Sequence, residues 1–312
     1  MSNTPLVFKN ASAGVLSAQI NRKVTTLDFL FMILLYSSRG GGNNVTTKTV
    51  AFTNMKGGVG KTILAYLTTT SLRKYLKTDM KILAIDLDPQ ANLTSKLLLK
   101  DYFPTIDEIG IHRFFGGDLQ IKHCIVDSHF KGVKIIPSYI GLGLMEHKVL
   151  TSITGVYTLK QHLSSIANQF DLIVIDCPPN VGVFTLNGIM AANYIICPLS
   201  PDFAAFEGFK YLLSLLSEVQ DPKEVATIVN LADRRYTQHK IFISTVNNAF
   251  DGKLNVLRPL SRRAAIQRAF EISKEAKIEA KRVHDDDTIK NLQSFLEDLS
   301  NFLGLRRNGE EE

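Results

Sequence analysis

The chain has 312 residues, 45% of them hydrophobic and 21% charged. That balance can bury a substantial core and argues against disordered and fibrous classes. Its 36 lysines and arginines against 30 acidic residues leave a formal charge of +6, too mild by itself to separate a nucleic-acid face, an anionic-membrane face and plain solubility. Three cysteines without paired spacing argue against a disulfide scaffold and fit a reducing compartment.

In chain order, residues 1–47 read as an arm apart from the rest. Residues 27–36 (LDFLFMILLY) are almost wholly apolar, interrupted by Asp28. This run is about half the ~20 residues a membrane span needs, and it lies too far from the start for a signal peptide. It reads as a core-docking or dimer-contact helix, capped by Thr25 or Thr26. The glycine-rich stretch 39–44 (RGGGNN) follows as a flexible linker. Some 47 residues, linker included, are too few to hold a helix-turn-helix module with its own core, so sequence-specific operator binding is not expected.

From Lys48 onward short β-rich runs alternate with stretches of helical spacing. Strands are expected over 49–53, 81–85, 133–136, 172–175, 194–197, 226–229 and 254–257, and helices over 63–75, 159–169, 185–192 and 203–219. Near-continuous apolar runs such as LIVI imply strands covered on both faces. The fold class is therefore α/β, a doubly wound, mostly parallel sheet flanked by helices, in one domain over 48–305 with a charged tail over 306–312.

The first strand runs directly into KGGVGKT at 56–62, followed by a helical stretch. Glycines let the backbone of Gly57, Gly58, Val59 and Gly60 curl, so that successive N–H groups and the helix N-terminus point at phosphate oxygens. Lys61 would reach the β/γ-phosphates and the Thr62 hydroxyl would ligate Mg²⁺. Two more strands end in carboxylates, at Asp86-Leu87-Asp88-Pro89-Gln90 and at Asp176-Cys177-Pro178-Pro179. Ligands in open α/β sheets bind beyond the carboxyl ends of the strands, so these acids face the same crevice. Asp176 fits a Mg²⁺ ligand acting through water, and Asp88 fits the group that orients an attacking water.

Charge is unevenly distributed. Residues 253–282 carry a net +6, equal to the whole chain, whereas 283–312 carry −5. The stretch from Arg258 to Arg268 contains no acidic residue, which a solvated helix face laced with ion pairs does not explain.

Lys56 is not required by a plain phosphate loop. With KGGVGKT at 56–62, DLDPQANLT at 86–94, DLIVIDCPPN at 171–180, LNGIMAANYIICPLSPDFAAFEGF at 186–209 and the element from Arg258 through AAIQRAFE at 264–271, the chain resembles the deviant Walker-A (SIMIBI-class) P-loop ATPases, specifically ParA-type partition ATPases. The resemblance covers about 48–303 and implies an ATP hydrolase, using ATP and Mg²⁺, in DNA or plasmid segregation. It implies an ATP-sandwich homodimer in which Lys56 reaches the partner's phosphates and, with Lys61 and Asp88, serves catalysis. It also implies duplex DNA bound without sequence preference, a ParB-type centromere-binding protein that stimulates hydrolysis, and a cytoplasmic, nucleoid-associated location. The late basic residues Arg258, Arg262, Arg263 and Arg268, and secondarily Lys274 and Lys277, match the family's DNA-contacting region. Asn230 and Pro259 match its adenine-side positions. Three positions depart from the pattern: Ile63 stands where many relatives have a threonine on the α-phosphate, Ala91 where glycine is common, and Cys177 where threonine is frequent.

Two other readings belong to neighbouring classes. A MinD-like membrane-associated ATPase would end in a basic amphipathic helix. Here Ile289, Leu292, Phe295, Leu296, Leu299, Phe302 and Leu303 do form an apolar face, but their segment is acidic, so packing on the core is expected and stable membrane association is not. An iron–sulfur reductase would need a cysteine where Val183 stands.

Overall fold

Alternation along the strands divides the core into two layers. In the strand containing LIVI, Leu172 and Val174 point into one cluster, and Ile173 and Ile175 into the other. A sheet apolar on both faces needs a cover on each, and the chain supplies helices to both. The computed structural model describes residues 47–219, 221–233, 235–261, 286–306 and 308. Residues 1–46 of the expected arm and the AAIQRAFE element at 264–271 lie outside the described residues.

The strands are β1 (Lys48–Phe52), β2 (Ile82–Asp86), β3 (Val126–Asp127), β4 (Val133–Ile136), β5 (Leu172–Asp176), β6 (Tyr194–Leu199), β7 (Glu224–Val229) and β8 (Asn255–Leu257). They form one sheet in the order β3-β4-β2-β5-β1-β6-β7-β8. All neighbours are parallel except the short edge pair β3–β4. This is the doubly wound class expected, with a two-residue antiparallel edge that the sequence pattern did not announce.

The principal helices are α1 (Lys61–Leu76), α2 (Val183–Ala191), α3 (Phe203–Ser217), α4 (Thr237–Phe250) and α5 (Asp286–Phe302). Leu64, Leu72 and Leu76 of α1 share one layer with Phe295, Leu296, Leu299 and Leu303 of the C-terminal segment. Phe184 and Ile189 of α2, Phe209 and Leu212 of α3, and Val246 and Phe250 of α4 fill the other. The apolar face of α5 is thus spent on the sheet, as its acidic setting led one to expect. No helix among the described residues is long and apolar enough to cross a membrane.

Two helix expectations need correction. The stretch over 159–169 is a helix only at Thr158–Leu163, with a separate 3₁₀ turn at Ala167–Gln169. The hydroxyls of Ser164 and Ser165 donate to Gln161 O at 2.9 Å and His162 O at 2.7 Å, drawing off carbonyls at the helix end. Helix α4 was not anticipated, although Phe242, Ile243, Val246, Ala249 and Phe250 recur at helical spacing and pack on the core.

Register then places the site. Phe52 of β1 and Asp86 of β2 both align with Asp176 of β5, so three central strands end at one level and their following loops share one crevice.

Candidate functional site

The loop between β1 and α1 adopts the backbone that the glycines permit. Gly58 and Gly60 have φ of 76° and 95°, left-handed values that side chains with a Cβ adopt only at a cost. At Gly60 a Cβ would also lie 2.0 Å from Asn230 Nδ2, so both conformation and space require glycine there. Helix α1 starts with no side-chain cap and no acidic residue in its first turn. Its first amides and positive dipole end are therefore left for an external anion.

Lys61 is nearly buried, and its ammonium donates to Lys56 O at 3.1 Å, lying back across the loop. Burial lowers its pKa, and the Asp176 charge opposes that shift. Thr62 is the second residue of α1, with its hydroxyl beside Asp176. Ile63 turns into the α1-side core, so it offers a ligand only its backbone. Gly57 lies against Pro179, which joins the glycine loop to the segment after β5.

Asp176 is fully buried, and neither carboxylate oxygen has a partner in hydrogen-bond geometry. Burial first, then the nearby Asp86 charge, raises its pKa well above the carboxylate range, while the neighbouring Thr62 hydroxyl and Lys61 act against the rise. An orphaned buried carboxylate next to a hydroxyl and a phosphate cradle is a donor set suited to a hydrated divalent cation. Asp86 is also buried and is pushed up to about 7, chiefly by burial and against the hydrogen bonds from Thr94. Asp88 is almost buried, and its Oδ1 accepts the Gln90 N–H at 2.9 Å. Ala91, three residues on, has φ of 53°. The position where glycine is common is left-handed here too.

Lys56 occupies an ion pair within its own chain. Its Nζ lies 2.6 Å from Asp202 Oδ2, with both side chains 37% exposed. Asp202 caps α3, its Oδ1 accepting the Ala205 N–H at 3.0 Å, and Ser200 Oγ donates to Oδ2 at 2.5 Å. Partial burial would raise the Asp202 pKa, but these donors hold it below the usual range. Sequence reasoning missed Asp202, whose local signal was a helix-capping position after Pro201. It also missed Asn54, whose side chain donates to Pro198 O at 2.8 Å and accepts the Lys56 N–H at 2.9 Å. Asn54 ties the start of the loop to β6.

Asn230 and Pro259 come together at the ends of β7 and β8, where Leu260 N–H donates to Val229 O at 3.0 Å. Asn230 is buried, and its Nδ2 donates to Val59 O at 2.8 Å. It supports the glycine loop from beneath. Arg258, expected at the DNA face, is ion-paired within the chain. Its guanidinium is held by Asp298 at 2.6 Å and Glu297 at 2.5 Å, and its backbone N–H donates to Asp298 Oδ2 at 2.7 Å. Those carboxylates raise its pKa and fix it as a brace between β8 and α5. Arg262, Arg263, Arg268, Lys274 and Lys277 lie outside the described residues.

A parallel sheet whose first strand opens into an uncapped glycine loop, flanked by buried acids on two adjoining strands, defines a P-loop nucleotide-binding protein. Residues 47–228 match the AAA domain model AAA_31, and the chain belongs to that family. The chromosome-partitioning ATPase Soj of Treponema pallidum is 34% identical over 174 residues, 55% of this chain and 65% of that protein. The chain thus spans just under two thirds of that relative's length. A plasmid partition protein from Borrelia burgdorferi, bound to AMPPNP, shares the fold with TM-score 0.67 at 22% identity, over 82% of this chain and 99% of its own. A cobyrinic acid a,c-diamide synthase from Mycobacterium smegmatis, with bound ADP and magnesium, is similar at TM-score 0.60 and 29% identity, over 73% and 92%.

Proposed function

We propose that this chain hydrolyses ATP as the motor of a DNA-partition system, forming an ATP-joined homodimer that binds duplex DNA without sequence preference. The observation that carries the proposal is Lys56, a partly exposed lysine at the mouth of an otherwise complete phosphate site. The diamide synthase of similar fold binds ADP and magnesium, and the Borrelia protein binds AMPPNP. In this chain the amides of residues 57–63 and the Lys61 ammonium hold the phosphates. Thr62 and, through water, Asp176 would hold Mg²⁺, which would supply charge neutralisation at the transferred phosphoryl group.

The remaining steps belong to side chains. Asp88 orients the attacking water. Lys56 leaves Asp202 and reaches the partner's nucleotide, where a cation offsets charge spreading over the γ-phosphoryl oxygens. Asn230 and Pro259 border the base. Hydrolysis removes the joint and releases the dimer, and a ParB-type centromere-binding protein accelerates it. For DNA the proposal rests on Arg262, Arg263 and Arg268, with Lys274 and Lys277, and less on Arg258, whose guanidinium is already paired with Glu297 and Asp298. Sequence-independent phosphate contacts of this kind weaken steeply with salt.

The test is the ATPase rate with and without DNA, in the wild-type chain and in Lys56→Ala, together with duplex binding by Arg262→Ala/Arg263→Ala. We expect DNA-responsive hydrolysis that Lys56→Ala abolishes, and a double variant with weaker, less salt-sensitive binding. Normal hydrolysis in Lys56→Ala would rule out the sandwich mechanism. Unchanged affinity in the double variant would remove the DNA face from this segment.

A further inference from the structure

We infer that Asp86 is a positioning residue for hydrolysis: it closes the 86–94 loop so that Asp88 is presented at one fixed place. This rests on the ATPase reading above and deepens it. Asp86 ends β2 and is fully buried, yet its carboxylate is well supplied with donors. Its Oδ1 accepts the Asp88 N–H at 3.1 Å, and its Oδ2 accepts both the N–H and the hydroxyl of Thr94, each at 2.8 Å. The Thr94 Oγ1 in turn accepts the Ser138 N–H at 2.9 Å, from the loop after β4. One carboxylate therefore pins the two ends of the loop to each other and the loop to the neighbouring strand.

The contacts of Asp88 given by the structure stay inside that ring. Its Oδ1 takes the Gln90 N–H at 2.9 Å, and its carbonyl takes the Ala91 N–H at 2.8 Å. With no long-range anchor in these bonds, the carboxylate of Asp88 is only as well placed as the ring that carries it. Ion-assisted hydrogen bonds in a buried setting are the stiff ones, and a catalytic group must be held to within about 0.5 Å. An apolar residue at 86 would strand three donors. An asparagine would offer one acceptor oxygen and turn an N–H₂ toward the remaining donors.

The hydrogen bonds of Asp86 go to Asp88 and Thr94 and none to residues 56–62. Asp86→Asn also removes a charge beside Asp176, so Thr94→Val, which leaves that charge in place, is the variant that isolates the loop. In steady-state assays of the full chain with Mg²⁺, ATP and duplex DNA, Asp86→Asn should lower kcat by about tenfold or more while KM for ATP stays within about twofold. Thr94→Val should fall in between, and Thr94→Ser, which keeps both donors, should recover most of what Thr94→Val loses. Thermal melting accompanies each variant, and if Asp86→Asn is unfolded at the assay temperature the Thr94 pair decides. Wild-type kcat in folded Asp86→Asn or Thr94→Val, or a loss carried wholly by KM, would overturn the assignment. A wild-type chain that hydrolyses no ATP would instead sink the ATPase reading, and this role with it.

Discussion

Ala91 shows how a single residue can carry strain in a site that otherwise follows its pattern. Its φ of 53° lies in the left-handed region, where a Cβ costs about 1–2 kcal/mol relative to glycine. The greater freedom of an unfolded glycine returns part of that. Ala91→Gly should therefore stabilise the chain by up to about 1 kcal/mol, raising the melting midpoint by roughly 2 °C. A midpoint that falls would show that the loop relies on the alanine methyl. At this scale the phosphate loop, Asp88 and Asp176 were legible because each sits in a contiguous motif at a strand end. Asp202 and Asn54 were not, since their partners lie 146 and 144 positions away and no local pattern records such a pairing. The ion pairs of Arg258 were hidden for a related reason. Arg258 lies in the basic segment, but Glu297 and Asp298, some 40 residues on, pair with it at the surface.

At the scale of elements that brace becomes measurable. Arg258 fastens the end of β8 to α5, whose Phe295 and Leu299 are buried against the sheet. The ion pairs are half exposed, so solvent screening discounts them, and the whole brace contributes about 1 kcal/mol. Arg258→Ala should lower stability by about that amount, as read from denaturant midpoints, and leave the salt dependence of DNA binding unchanged. A smaller salt slope in Arg258→Ala would return this residue to the DNA face. The strands were legible because burial on both faces makes them apolar throughout, as in LIVI of β5. Helix α4 was passed over even though Phe242, Ile243, Val246, Ala249 and Phe250 keep a helical period and pack on the core. The two-residue β3 carries little pattern of its own. In the helix at Thr158–Leu163, serine side chains overrode an apolar spacing that by itself continued.

For the whole molecule, the position of Lys56 sets the cost of assembly. A sandwich dimer needs this lysine on the partner's phosphates, yet the single chain holds it on Asp202 at 2.6 Å. In the proposed dimer each subunit would break one such pair before its lysine crossed, so two would be lost per dimer. At 37% exposure on both sides, each contributes about 1 kcal/mol at most. The Asp202→Asn exchange isolates this effect, because asparagine caps a helix as well as aspartate does and keeps the Ala205 N–H satisfied while removing the charge. With the lysine released, ATP-dependent dimerisation should tighten by roughly tenfold. Sedimentation or light scattering at graded protein concentration, with a non-hydrolysable ATP analogue, reads that shift. Raising the salt should narrow the gap between wild type and variant, since the pair being removed is a partly exposed ionic one. Weaker dimerisation in Asp202→Asn would mean that Asp202 serves the assembled dimer rather than the single chain, and that Lys56 is placed by its counter-ion instead of being held back by it.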